Sequence, residues 1–199
     1  MVIALVSLAV VGAVGCDGGE PNGDVPNGGE PIQPDLSSGF GSIVDCDQNS
    51  DEELIAGQQS LDFRFEDANG TTFSLSDYLG RAVLLNFWSI GCSHCIEELP
   101  YIQQVHEEWP AEELVVLTIE VYNDAEAVSD FLADSGFSLP VLLDSERELK
   151  AQYGVSALPR TFFIDKEGWI RGIKFGALES PEELEDILEQ LITLQEEED

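Results

Sequence analysis

Two runs of the chain are apolar with almost no polar interruption, Val83-Leu84-Leu85-Asn86-Phe87-Trp88 and Val115-Val116-Leu117-Thr118-Ile119. Each predicts a strand covered on both faces. Leu61-Asp62-Phe63-Arg64-Phe65 alternates instead, as a half-exposed strand does. Asn69-Gly70 predicts a turn, Thr71 to Phe73 an extended stretch, and Ser76 to Leu79 a short helical turn closed by Gly80. Between the two buried strands, Ile96, Leu99, Ile102, His106 and Trp109 recur at helical spacing and predict one buried face. Pro100 lacks an N–H and predicts a kink in that helix. His106 reads as a core residue of its apolar face rather than as a catalyst.

Asn123-x-x-Glu126 predicts a capping box for a helix that buries Val128, Phe131 and Leu132 and stops at Gly136. Pro140 to Leu143 predicts a short strand, and Asp144 the cap of a helix ending near Tyr153-Gly154. Thr161 to Ile164 reads as extended, and Asp165-Lys166-Glu167-Gly168 as a hairpin turn into Trp169 to Phe175. Ser180-Pro181-Glu182-Glu183 combines an N-cap, a proline at the first helical position and a capping box. The helix after it buries Leu184, Ile187, Leu188 and Leu191. Strands and helices alternating in the order β-α-β-α-β-α-β-β-α predict an α/β fold. Its central mixed sheet carries helices on both faces and occupies residues 57–195.

The N-terminal segment sets the expected compartment. Val2 to Val14 is almost wholly apolar and too short to span a bilayer comfortably, so residues 1–15 read as a signal peptide. Ala13-Val14-Gly15 precedes Cys16, which suits either ordinary cleavage or lipidation of Cys16 after a bacterial lipoprotein signal. Both place the mature chain outside the cytoplasmic membrane, where disulfides form. Residues 16–56 are rich in Gly, Pro, Asn and acidic side chains and read as a flexible tether, and residues 196–199 as an acidic tail. Cys46 falls inside that tether. It reads as a lone thiol in a loop or half of an incidental disulfide, with a resolving role for another cysteine pair as the alternative.

Charge narrows the partners. Lys and Arg number 8 against 40 Asp and Glu, a formal net charge of −32. The first 57 residues hold ten acids and no base, leaving 30 acids and 8 bases, a net −22, on the rest. Such a field repels phosphate backbones, which argues against nucleic acid. It also disfavours docking on anionic lipid, so membrane contact is expected through a lipid anchor only.

Chemistry enters at Cys92-Ser93-His94-Cys95, which follows a buried strand and opens a helix. Backbone N–H groups at a helix N-terminus favour a thiolate, the species that attacks disulfides. Half a zinc site would need a second ligand pair. Haem attachment would need His where Ile96 stands. Two ordinary core cysteines are the bland alternative. The setting favours redox chemistry with no metal and no cofactor.

These residues together resemble the thioredoxin superfamily, and within it the TlpA/ResA-like extracytoplasmic thiol–disulfide oxidoreductases. The likeness covers about residues 57–192. It rests on Gly70–Gly80, on Leu85-Asn86-Phe87-Trp88, on the C-x-x-C-x-x-E-x-P spacing of Cys92, Cys95, Glu98 and Pro100, and on Leu158-Pro159-Arg160-Thr161-Phe162-Phe163-Ile164-Asp165. The resemblance implies a thioredoxin-like fold with Cys92 as attacking thiolate, Cys95 as resolving thiol and Pro159 in the cis form facing the pair. It also implies a carboxylate at Glu98, placed to take the proton of Cys95. Asn86 stands where thioredoxin has a buried acid, which shifts that duty to Glu98, while Glu97 reads as solvated. His94, between the cysteines, is expected to tune the Cys92 thiolate. Two departures from the family pattern, Gly91 for Trp and Arg160 for Thr, bear on substrate choice.

The function expected is reduction of protein disulfides, as in cytochrome c maturation, with electrons from a membrane thiol donor. A peroxiredoxin-like peroxidase is the nearest alternative, but it wants a Pro-x-x-x-Thr-x-x-Cys loop, and Trp88-Ser89-Ile90-Gly91 precedes Cys92 instead. A non-catalytic binding module on the same fold is the other, and it would not need both cysteines.

Overall fold

The computed structural model describes residue 34, residues 40–46 and residues 54–196. The signal-peptide reading of residues 1–15, the lipidation reading of Cys16 and residues 197–199 of the expected acidic tail lie outside the described residues, while Glu196, the first residue of that tail, ends a helix. An eight-stranded mixed sheet runs through the domain in the order β3-β2-β1-β6-β5-β4-β7-β8. Its strands are β1 (Gly41–Cys46), β2 (Phe63–Glu66), β3 (Thr72–Ser74), β4 (Ala82–Trp88), β5 (Leu114–Glu120), β6 (Val141–Leu143), β7 (Arg160–Ile164) and β8 (Ile170–Phe175). The helices are α1 (Ser93–Glu108), α2 (Ala125–Ser135), α3 (Glu148–Gln152) and α4 (Pro181–Glu196), and one turn of 3-10 helix spans Leu75–Tyr78.

The sequence patterns explain the layers. All seven residues of β4 and of β5 are buried, and the two strands pair in parallel. Strands buried on both faces feed two cores. Val83, Leu85 and Phe87 face Phe162, Leu149 and Tyr153 on the side of α3 and the 3-10 turn. Ala82, Leu84 and Trp88 face Leu99, Ile102, Val128, Leu184 and Leu188 of α1, α2 and α4. Each fully buried large side chain in these layers contributes roughly 1.5–3 kcal/mol. The arrangement is the expected α/β fold with helices on both faces.

Several local expectations are corrected. Residues 16–56 are not all tether: Gly41–Cys46 is a strand lying between β2, antiparallel, and β6, parallel. Leu54 is also buried. Cys46 is therefore no loop thiol; it is 5% exposed and packs in the Phe63 and Tyr153 core, across the sheet from the core that holds Cys95. The pairing partners, not the local sequence, make this strand. Asp124 rather than Asn123 caps α2, its Oδ1 accepting the Ala127 N–H at 2.9 Å. At α4 only half of the capping box forms: Ser180 Oγ accepts the Glu183 N–H, while the Glu183 carboxylate accepts from the N–H of Glu179. Asp144 stands outside the strict cap position of α3, yet its carboxylate accepts the Leu149 and Lys150 N–H groups at 3.2 and 2.8 Å. His106 is exposed, and Val105 takes the buried position beside it. The helix α1 continues through Pro100.

Candidate redox site

The turn after β4 is clamped before the cysteines appear. Cys92 N donates to Ser89 O at 3.0 Å, and Ser89 Oγ donates to Asn123 Oδ1 at the same distance. Asn123 is held in turn, its N–H reaching Glu120 Oε2 at 2.6 Å. Glu120 ends β5 directly opposite Trp88, the last residue of β4. Polar residues ending two apolar strands thus fix the loop that delivers Cys92. Sequence reasoning assigns Asn123 to a helix cap and does not single out Ser89 or Glu120; the polar residues that follow two apolar strands are the available signal.

Cys92 is the N-cap of α1, and its sulfur accepts the Cys95 N–H at 3.3 Å. A hydrogen bond to sulfur, added to the positive end of the helix, favours the thiolate when the bond to Cys95 is open. In this structure the two cysteines are joined as a disulfide with Cα atoms 5.2 Å apart. That lies within the usual span of such bonds. Cys92 is half-buried and Cys95 fully buried, so an incoming partner meets Cys92 first. The peptide between Leu158 and Pro159 is cis. The β4–β7 register pairs Phe87 with Arg160, which brings Pro159 to the end of β4 where the cysteine turn begins.

Glu98 follows Cys95 by three residues and lies on the same buried helical face, with no exposed surface. Its Oε1 accepts from Asn86 Nδ2 at 2.8 Å and its Oε2 from the Leu178 N–H at 2.8 Å. Asn86 Nδ2 also donates to Thr161 Oγ1 at 2.9 Å. Cross-strand pairing explains the meeting: Asn86 and Thr161 are direct partners and point to the α1 side. Burial raises the Glu98 carboxyl to about 7; the two N–H donors and the Lys174 ammonium oppose the rise, and Glu183 adds to it. A carboxylate poised there accepts a proton near neutral pH. Glu98 is thus no solvated helix glutamate.

His94 is exposed and its Nδ1 lies 3.0 Å from the carboxylate of Glu97, which is likewise exposed. Arg160 is buried, its guanidinium 3.7 Å from the centre of the Phe175 ring, while Phe175 itself is 60% exposed. The cation that Arg160 adds is therefore sheathed by an aromatic ring. A Cβ at Gly91 would meet nothing within 4 Å, so the rim is open at the position where the family pattern has Trp. A cavity of about 610 Å³, lined by Leu61, Leu75, Tyr78, Val83 and Ile164, lies at the opposite end of β4 from the cysteines.

A helix-capping cysteine pair, a cis-proline segment beside it and a buried carboxylate one turn on define a thiol–disulfide exchange site on a thioredoxin-like fold. Residues 56–173 match the AhpC/TSA family, and the chain belongs to it. It is 33% identical over 127 residues to the thiol–disulfide oxidoreductase ResA of Bacillus subtilis (strain 168), a match spanning 64% of this chain and 71% of that one. ResA of Geobacillus thermodenitrificans (strain NG80-2) is 31% identical over 138 residues, covering 69% and 79%. Among solved structures, a thiol:disulfide interchange protein DsbE from Chlorobium tepidum aligns with a TM-score of 0.64 at 26% identity over 70% of this chain and 99% of that one. The exposed lipoprotein thioredoxin of Streptococcus pneumoniae strain TIGR4 aligns with a TM-score of 0.57 at 31% identity, covering 65% and 99%.

Proposed function

We propose that this protein is an extracytoplasmic thiol–disulfide oxidoreductase that reduces disulfides in other proteins. The observation that carries the reading is the Cys92–Cys95 disulfide at the mouth of α1 with Glu98 buried one turn further on. In the reduced enzyme the Cys92 thiolate attacks a substrate disulfide. A bond forms between Cys92 Sγ and one substrate sulfur, the substrate bond breaks, and the other substrate sulfur leaves as thiolate. Cys95 then gives its proton to Glu98 and attacks Cys92 Sγ, which releases the second substrate thiolate. Two electrons pass to the substrate, and the Cys92–Cys95 bond is restored. Pro159 has no N–H to offer, its carbonyl accepts the Gly176 N–H at 3.2 Å, and an extended substrate would pair with the backbone that precedes it.

The similarity to ResA proteins, to a DsbE and to an exposed lipoprotein thioredoxin supports placement outside the cytoplasm. We place the mature chain there, anchored by lipid on Cys16, with electrons restored by a membrane thiol donor. Among the described residues no helix is long and apolar enough to cross a membrane. The test is reduction of insulin disulfides by the reduced protein, with Cys92→Ser as control and peroxide consumption measured in parallel. Insulin reduction without peroxide turnover supports the proposal; the reverse would assign a peroxidase.

A further inference from the structure

We propose that Asn86 and Thr161 are positioning residues that reverse their hydrogen bonds together, so that Glu98 is held in place in both of its protonation states. The inference deepens the disulfide-exchange reading and rests on it. One observation starts it: Asn86 uses a single end of its amide. Nδ2 donates to both Glu98 Oε1 and Thr161 Oγ1, at 2.8 and 2.9 Å, while the buried Oδ1 has no hydrogen-bond partner. All three residues are 0% exposed, so bulk solvent does not reach them.

Follow the proton that leaves Cys95. Glu98 Oε2 is held by the Leu178 N–H, which can only donate, so that oxygen must remain an acceptor. The proton therefore resides on Oε1, the oxygen that faces Asn86. Oε1–H against an amide NH2 would set two donors face to face in a dry site, at a cost of about 1–3 kcal/mol. Rotating the amide about its terminal torsion exchanges Oδ1 for Nδ2, and Oδ1 then accepts from Oε1–H. Thr161 can follow, because a hydroxyl accepts in the first arrangement and donates in the second. Each arrangement leaves one end of the same amide without a partner, the oxygen in the first and the NH2 in the second, while the end that faces Glu98 matches its protonation state.

The charged groups acting on Glu98 are Lys174 from β8 and Glu183 from α4; Cys95, on its own helix, is held in the disulfide. Lys174 and Glu183 pair with each other, which limits their net pull. The backbone donor Leu178 is fixed, so the amide and the hydroxyl are the parts free to change.

The experiment is a pH titration by nuclear magnetic resonance of the oxidised full chain, following the Asn86 side-chain amide and the Glu98 carboxyl carbon from pH 5 to 9. Oxidation keeps Cys92 and Cys95 from titrating, and no substrate is required. The Asn86 Nδ2 proton shifts are expected to move with the Glu98 carbon, and to stop moving in Glu98→Gln. A Glu98 carbon that titrates past a motionless Asn86 amide would overturn the proposal, as would a Glu98 that does not titrate. Thr161→Val removes the hydroxyl and is expected to slow resolution of a Cys92 mixed disulfide about tenfold, and Thr161→Ser to recover most of it. Equal losses in both variants would contradict the relay. Failure of the wider functional reading looks different: no mixed disulfide would form with any protein substrate, whatever the titration shows.

Discussion

Glu98 Oε2 accepts the backbone N–H of Leu178 at 2.8 Å, joining residues eighty apart in sequence. The bond seals the segment between β8 and α4 over a carboxyl that the sheet-facing side of α1 has already buried. An acid so enclosed has its proton affinity set by the fold, and the fold's stability depends on its proton.

Replacing Glu98 with Gln is expected to lower turnover with protein disulfides about 100-fold, chiefly at the step that resolves the mixed disulfide. The measurement is a stopped-flow separation of the two steps. Loss confined to Cys92 attack would place the role of Glu98 elsewhere.

Stability should fall as pH rises through the range of this carboxyl. Burial raises Glu98 from 4.5 to about 7, so the native state binds more protons than the unfolded chain between those values. The stabilising contribution is complete below pH 4.5 and is lost as pH approaches 7. The change is at most about 3 kcal/mol. Urea unfolding across this range should show a clearly smaller slope in Glu98→Gln than in the parent; buried Asp144, also raised by burial, keeps part of it in both.

Substituting Cys95 with Ser leaves the attack intact and removes the resolving thiol, so a mixed disulfide between Cys92 and substrate should accumulate. Mass spectrometry without reductant detects it. Release of substrate at the parental rate would show that another group resolves it.

The strand Gly41–Cys46 links the β2–β3 hairpin to the rest of the sheet through β6. Deleting residues 1–39, which keeps the packed Phe40, should leave Tm nearly unchanged, whereas deleting 1–46 should lower it by more than about 10 °C, since two strand pairings are lost. A thermal melt of both deletions decides whether this strand belongs to the domain.

The main architecture was legible because burial leaves a plain mark where strands are covered on both faces. β4, β5 and β7 announced themselves as apolar runs, and the cysteine pair stood where one of them meets a helix. β1 left no such mark. Ile43 and Val44 sit among Gly, Ser and Asp, and only the unsatisfied edges of β2 and β6 draw them into the sheet. Asn123 misled for a related reason. Its amide could have capped α2, but Ser89 claims it, and Asp124 takes the cap one residue later. His106 and Val105 show the limit of a helical stripe: both fit the face within one residue, and neighbouring packing chose the aliphatic one. The partnership of Asn86, Thr161 and Glu98 depends on strand register, which no single segment encodes.

The most direct measurement is the fate of four sulfurs in a single turnover of the reduced protein with insulin. Each insulin disulfide cleaved should appear as two insulin thiols, matched by one new bond between Cys92 and Cys95, and Cys92→Ser should yield neither. Insulin left intact, or cleaved equally well by Cys92→Ser, would contradict disulfide exchange at the mouth of α1.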